Sequence, residues 1–351
     1  MDRSEKTIYS IAAAAGVSPA TVSRALSGKG YVSAATKEKI LAEAGSFSPR
    51  KAGVEVLSRN SSKTIGVIVS QNFEYFFQNN IYSDIMQGIS EILTPRDYTF
   101  LLDFRHVDSA SIIELYTSGK VDGFILIGIS STSSLLDDLS SSGIPAVLIG
   151  DRIDHKGKAT CAHVDIDDFA AAKDITDFLI TLGHRKIAFI SYSYHYASSY
   201  NRFLGYKTAL SEAGLTLDPR YVVQLDNMTE EKAINLTKHL LYQSEVPTAI
   251  IAFNSIITIA VYKALEDCGY SIPNDISVVG FDDSIFSRYA SPPVTTVWQP
   301  SVEKGRVAAD ILLKALDNNT LPDKIVTLPS MIIYRNSCAV PRLLEKKPSS
   351  M

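Results

Sequence analysis

The chain has 351 residues, a length that at roughly 150 residues per domain implies two or three folded units. Hydrophobic residues make up 46% and charged residues 21%, a balance that fills sizeable cores and excludes a disordered polymer. The net charge of −4 argues against a protein whose whole surface binds nucleic acid, yet residues 1–62 hold nine basic and five acidic side chains, so a piece of net +4 is joined to a body of net −8. Contact with a polyanion therefore belongs to the N-terminus. Cys161, Cys268 and Cys338 are far apart, with no Cys-x-x-Cys pair and no neighbouring His at ligand spacing, so they read as ordinary thiols and no metal site is expected. The opening MDRSEKTIYS carries no apolar leader, and no stretch approaches the 18 uncharged apolar residues of a membrane span; a cytoplasmic protein is expected.

In chain order, Thr7 caps a first helix through Ala15, Gly16-Val17 makes a turn, and Ser18 caps a second helix that has Pro19 at its first position and runs to about Leu26. A third helix opens at Ser33 and stops at Gly45. Their expected core is Ile8, Ile11, Ala12, Val17, Val22, Leu26, Val32, Ile40 and Leu41. Residues 47–63 turn to Ser, Pro, Arg and Asn and read as a linker. Beyond it, unbroken apolar strands at 64–69, 98–102, 121–127, 146–149, 187–190, 249–253 and 277–280 alternate with helical stretches such as 167–182. That alternation predicts an α/β body of doubly wound parallel sheets in two lobes. Ligands of such sheets sit at the carboxyl ends of the strands, here facing a cleft between the lobes.

Helix, glycine turn and a second helix with a small, polar N-terminal face is what a helix-turn-helix needs to enter the major groove, although a generic helical hairpin has the same spacing. Pro19, Ala20, Thr21 and Arg24 would face base edges, while Thr7, Tyr9, Ser18 and Ser23 would reach phosphate. The run Gly16-Val17-Ser18-x2-Thr21-Val22-Ser23-Arg24, with Val32-Ser33-x2-Thr36-x2-Lys39-Ile40, resembles the head of the lactose/galactose repressor family of bacterial transcription regulators. Val121-Asp122-Gly123-Phe124-Ile125, Leu182-Gly183-His184-Arg185-Lys186-Ile187 and Ser277-Val278-Val279-Gly280-Phe281-Asp282-Asp283 resemble its body.

The resemblance implies an all-α head at 1–47, a hinge at 48–63, a periplasmic-binding-protein-like effector domain at 64–340 and a tail at 341–351. Lobe 1 is expected at about 64–160 with a return segment near 290–325, and lobe 2 at 161–290 and 326–340. It further implies a homodimer on a pseudo-palindromic double-stranded DNA operator, a repressor controlled by a sugar, with no cofactor. The hinge departs from the family: Phe47-Ser48-Pro49-Arg50 and Gly53-Val54-Glu55-Val56 replace its usual residues, leaving Val56 or Leu57 to wedge into the minor groove, and Gly53 disfavours a helix by about 1 kcal/mol.

For the effector, the resemblance points to Arg202, Asp282, Asn254 and Tyr82, with Asp151 and Gln299; Ser255 stands where the family has an acid. A guanidinium grips vicinal hydroxyls or a carboxylate. Tyr192, Tyr194, His195, Tyr196 and Tyr200 crowd one loop, where Tyr194 would stack on a sugar ring or the whole group would lie on the surface. Asp282-Asp283 does not read as a catalytic pair, since adjacent residues at a strand end point apart. Asp165, Asp167 and Asp168 read as helix-start carboxylates. The rival readings are a transport receptor or a carbohydrate enzyme using the same cleft, and a regulator that senses no ligand.

Overall fold

The computed structural model describes residues 8–27, 32–44, 61–70, 73–104, 109–130, 133–150, 162–226 and 229–342. The chain divides into two compact units, residues 1–60 and 61–351. In the first, α1 (Ile8–Ala15), α2 (Pro19–Ser27) and α3 (Ala34–Ala44) pack around Ile11, Ala12, Val22, Ala25 and Ile40, with Val17 and Val32 half-buried against them. The turn depends on Gly16, whose φ of +67° lies where a side chain is disfavoured. Ser18 and Ser33 cap the following helices through their hydroxyls, accepting from the Thr21 and Thr36 amides at 3.1 and 3.3 Å. Thr7, expected as a cap, and the hinge residues Val56 and Leu57 lie outside the described residues.

The second unit opens with β1 (Thr64–Val69), α4 (Phe73–Gln78), α5 (Asn80–Leu93), β2 (Thr99–Asp103), α6 (Ser109–Thr117), β3 (Gly123–Ile127), α7 (Leu135–Ser141), β4 (Ala146–Ile149) and β5 (Ala162–Ile166). It continues through α8 (Asp168–Thr181), β6 (Ile187–Ser191), α9 (Ala197–Glu212), β7 (Val222–Gln224), α10 (Glu230–Leu241), β8 (Ala249–Ala252), α11 (Ser255–Asp267) and β9 (Ser277–Phe281). Last come α12 (Ile285–Tyr289), β10 (Thr295–Trp298), α13 (Ser301–Asp317), β11 (Ile325–Leu328) and β12 (Met331–Ile333). The strands form two sheets, ordered β11-β5-β4-β3-β1-β2 and β12-β10-β9-β8-β6-β7. Every described pairing is parallel except β10 with β12. The central strands β3, β6, β8 and β9 are buried throughout, which explains their apolar sequence, broken only by Ser191 at the end of β6 and Ser277 at the start of β9.

The lobe boundaries differ from the expected ones. β5 was expected to open lobe 2, but it pairs with β4 and belongs to the first sheet; the expected return near 290–325 begins later, because β10 pairs with β9 in the second. β11, placed mainly in lobe 2, pairs with β5. The sequence near 151–163 loses its apolar run before the sheet is finished, so the break in composition does not coincide with the break between lobes. The chain thus passes between sheets after β5, after β10 and after β11.

α13 returns to the first sheet and crosses α5 with backbone almost touching backbone. A Cβ on Gly88 would fall 1.9 Å from the Val302 carbonyl oxygen, and one on Gly305 would fall 2.2 Å from that of Ile85. Gly88→Ala is therefore expected to lower unfolding free energy by about 1–3 kcal/mol through overpacking, read from the urea midpoint.

His184, buried before β6, donates from Nε2 to the Ala339 carbonyl at 3.0 Å and has Nδ1 2.9 Å from the Thr248 hydroxyl. Burial pushes its pKa below the usual 6.5, against the opposing pull of the Ala339 carbonyl. The unfolded chain takes up a proton below pH 6.5 that the native ring resists, so its contribution to stability is present above that pH and is lost as pH falls. His184→Gln, measured by urea unfolding at pH 7.5 and 5.5, is expected to show a smaller loss on acidification than the parent.

Candidate functional site

In the helical head, Ser18, Pro19 and Arg24 are exposed and Thr21 is half-buried. Ser18 Oγ and Thr21 Oγ1 lie 2.8 Å apart, so these two hydroxyls hold the start of α2 while facing outward. Tyr9 falls on α1, and Ala20 and Ser23 on α2.

In the body, the cleft forms where the carboxyl ends of both sheets meet, as doubly wound topology dictates. Tyr82 of α5 and the strand ends Ile127-Gly128-Ile129 and Leu148-Ile149-Gly150 line one wall. Arg202 of α9 and Phe253, Asn254 and Asp282 past strand ends line the other, and Gln299 stands at the crossover after β10. The structure thus brings together Tyr82, Arg202, Asn254, Asp282 and Gln299 of the expected set, while Asp151 lies outside the described residues.

Tyr194 is the correction. It does not line the cleft: its ring stacks on Phe203 at 4.9 Å and meets Tyr200 edge-on. The chain turns at Ser193–Tyr196, where the Tyr196 amide donates to the Ser193 carbonyl, so the alternation of a strand no longer governs which tyrosines share a face. Tyr192 and Tyr196 line the cleft instead, stacked on each other at 5.2 Å.

Arg202 is held from three sides. Its Nε donates to Asp168 Oδ1 at 2.7 Å, its Nη1 to the Phe253 carbonyl at 2.6 Å, and its guanidinium lies 3.9 Å over the Phe281 ring. Both partners of the ion pair are buried, with side-chain exposures of 6% and 1%. Lys304 of α13 is equally buried and donates to Asp165 Oδ1 and to Gln299 Oε1, while Gln299 Nε2 donates to Asp282 Oδ1. Burial raises the carboxyl pKa of Asp168 and of Asp282, with Arg202 pulling against it in each case. Asp282 sits at φ +72°, outside the usual range for a side-chain-bearing residue, which turns it from the end of β9. Asp283 diverges from it to pair with Arg335 at 2.6 Å and Arg288 at 3.1 Å, as adjacent positions at a strand end require.

Across the cleft, Tyr75 of α4 accepts from Asn254 Nδ2 at 2.8 Å and from Asn79 Nδ2 at 3.3 Å. Asn254 Oδ1 meanwhile accepts from the Ile257 amide and caps α11. Tyr75 and Tyr82 are buried, which pushes both phenols above their usual pKa.

Sequence reasoning missed Asp165, Asp168, Lys304 and Tyr75. Asp167 does cap α8, accepting from the Ala170 amide at 2.9 Å, and its neighbours were read with it as helix-start carboxylates. Lys304 carried a legible signal: it falls in register with Ala308, Ile311, Leu312 and Ala315 on the buried face of α13.

No group of three or more potential metal ligands occurs among the described residues, and no described helix is long and apolar enough to cross a membrane. Residues 7–44 match the family described as bacterial regulatory proteins, lacI family, and residues 176–338 match a periplasmic binding protein-like domain. Catabolite control protein A of Priestia megaterium is 32% identical over 336 residues, covering 94% of this chain and 98% of that protein. The solved structure of a transcriptional regulator CelR–cellobiose complex superposes with a TM-score of 0.73 at 28% identity, over 95% of this chain and 100% of that one. A LacI family regulator from Enterococcus faecium with bound ribose superposes at 0.67 and 27%, over 80% and 100%.

Removing one partner of a buried ion pair strands the other. Arg202→Gln is expected to cost about 3–5 kcal/mol in urea unfolding, and Arg202→Gln/Asp168→Asn to recover most of that loss.

Proposed function

The chain belongs to the lacI family of bacterial regulatory proteins and is a DNA-binding transcriptional regulator, not an enzyme; from this we propose a homodimeric cytoplasmic repressor that reads a pseudo-palindromic operator and releases or grips it according to a sugar in its cleft. The observation that carries the sugar reading is the polar lining shared by both walls: Arg202, Asn254 and Asp282 on one, Tyr82 on the other, with Gln299 at the crossover. Guanidinium, amide and carboxylate groups at a concave, partly aromatic surface match a polyol, whose hydroxyls donate and accept and whose ring offers an apolar face. Cellobiose and ribose in the cited relatives accord with that class.

In the head, Arg24 is exposed near the end of α2 and reads a guanine edge bidentately, a contact worth about 1–3 kcal/mol of discrimination. Pro19, Ala20 and Thr21 meet neighbouring bases, the first two through apolar contact, while Thr7, Tyr9, Ser18 and Ser23 hold phosphate and Val56 or Leu57 enters the minor groove between half-sites. Coupling is reciprocal: a sugar that weakens operator binding binds the operator complex more weakly by the same factor.

The test begins with selection of operator sequences from random duplex by the full-length protein at moderate salt. The selected pool is expected to contain an inverted repeat, and Arg24→Ala to relax its consensus more than Ala20→Gly does. Sugar titrations of free and operator-bound protein, followed through the fluorescence of Trp298, the chain's single tryptophan and the neighbour of Gln299, are expected to give different affinities in the two states. Absence of any sequence preference removes the operator reading, and equal affinities for every sugar remove the allosteric one.

A further inference from the structure

The ionisable side chains that line the cleft among the described residues, tyrosines aside, are Asp165, Asp168, Asp282, Arg202 and Lys304, each at least nine-tenths buried. Three are acidic and two basic, and both cations are already engaged. Lys304 is held by Asp165 and by Gln299, and Arg202 by Asp168 and by the Phe253 carbonyl. Gln299 donates to Asp282, so each cation's charge is matched by a buried carboxylate and one carboxylate of the lining stands in excess. Asp168 Oδ2, in contrast, is buried and has no hydrogen-bond partner among the described residues. A buried acceptor left bare is uncommon and costly, and it calls for a donor.

Resting on the sugar reading above, we infer that the effector carries no anionic group: it is a neutral or amino sugar that donates a hydroxyl or ammonium hydrogen to Asp168 Oδ2, and phosphosugars and sugar acids are rejected. A phosphate entering this site would add negative charge beside three carboxylates, where the charge of Arg202 and of Lys304 is already matched by a buried carboxylate, so its own charge would go uncompensated. Rejection of that kind is specificity by unpaired charge, and it requires no steric block. The residues that impose it, Asp165, Asp168 and Lys304, stand at two of the three crossovers between the sheets, those after β5 and after β10.

The experiment uses full-length protein and calorimetric titration of matched sets: glucose, glucosamine, gluconate and glucose 6-phosphate; galactose, galactosamine and galactose 6-phosphate; ribose and ribose 5-phosphate; and cellobiose. The uncharged or amino member of a set that binds is expected to do so at least about tenfold more tightly than its anionic counterpart, the scale of one unpaired buried group. Asp168→Asn, which replaces one acceptor oxygen by a donor, is expected to weaken the preferred member by a similar factor. Asp165→Asn leaves Lys304 without its carboxylate and is expected to narrow the discrimination against the phosphosugar. Asp165→Asn/Lys304→Met, which has no stranded charge, is expected to restore it, and its urea midpoint separates a charge effect from a folding defect. A phosphosugar or sugar acid that binds as tightly as its parent sugar overturns the inference while leaving the sugar reading intact. Binding by no member of any set overturns the sugar reading and this inference with it.

Discussion

The cleft depends on the pairing of buried charges where the chain passes from one sheet to the other. Two cations and three carboxylates cannot be taken from water unless each is paired or hydrogen-bonded, since the desolvation penalty amounts to several kcal/mol per ion. The fold meets that demand with residues that flank the crossovers: Asp165 and Asp168 on either side of the β5–α8 junction, Gln299 and Lys304 on either side of the β10–α13 junction. Pairing therefore fixes the two junctions to each other and matches both cations, leaving one carboxylate in excess. Loss of any one member leaves its buried partner unsatisfied.

The two walls are joined by side chains as well as by the peptide. Asp165 on the first sheet reaches Asp282 on the second through Lys304 and Gln299, and Tyr75 reaches Asn254 directly. Tyr75 belongs to α4, whose rings Phe73, Phe76 and Phe77 pack with Phe104 and Tyr82, so its hydroxyl is positioned by an aromatic cluster. A sugar that enters beside Tyr82 and Asn254 competes with or extends this bridge. Either way its binding energy is coupled to the spacing of the walls, which is the requirement for a ligand to shift a two-state equilibrium.

Local rules made the head and the central strands legible. Ser18-Pro19 and Ser33 start helices for reasons confined to one turn of chain, and β3, β6, β8 and β9 are apolar because both faces are covered. Short edge elements such as β7 and β12 carry no such signature, with three residues each and half-buried faces. In the site, Arg202, Asn254, Asp282 and Gln299 came from resemblance in motif, whereas Tyr194 failed because turn geometry, and not proximity in sequence, decides which ring faces the cleft. Asp168 was hidden by its position at a helix start, where a carboxylate has a sufficient local explanation.

Lys304 shows how much further the sequence extends once helix periodicity is applied to charge as well as to apolar residues. On α13 it occupies the stripe that Ala308, Ile311, Leu312 and Ala315 bury against the first sheet. A lysine on that stripe must find an acceptor within reach of its stem, and from the first turn of α13 the acceptors are those at the carboxyl end of β5 and at the crossover behind it. The same reasoning explains why Gln299 is an amide: it must accept from Lys304 with one end and donate to Asp282 with the other, which neither a carboxylate nor an ammonium does. The polarity of the relay, acid to lysine to amide to acid, is thus dictated by the donors and acceptors that each side chain has, and replacing any member by one of the wrong kind sets two donors or two acceptors against each other inside the site.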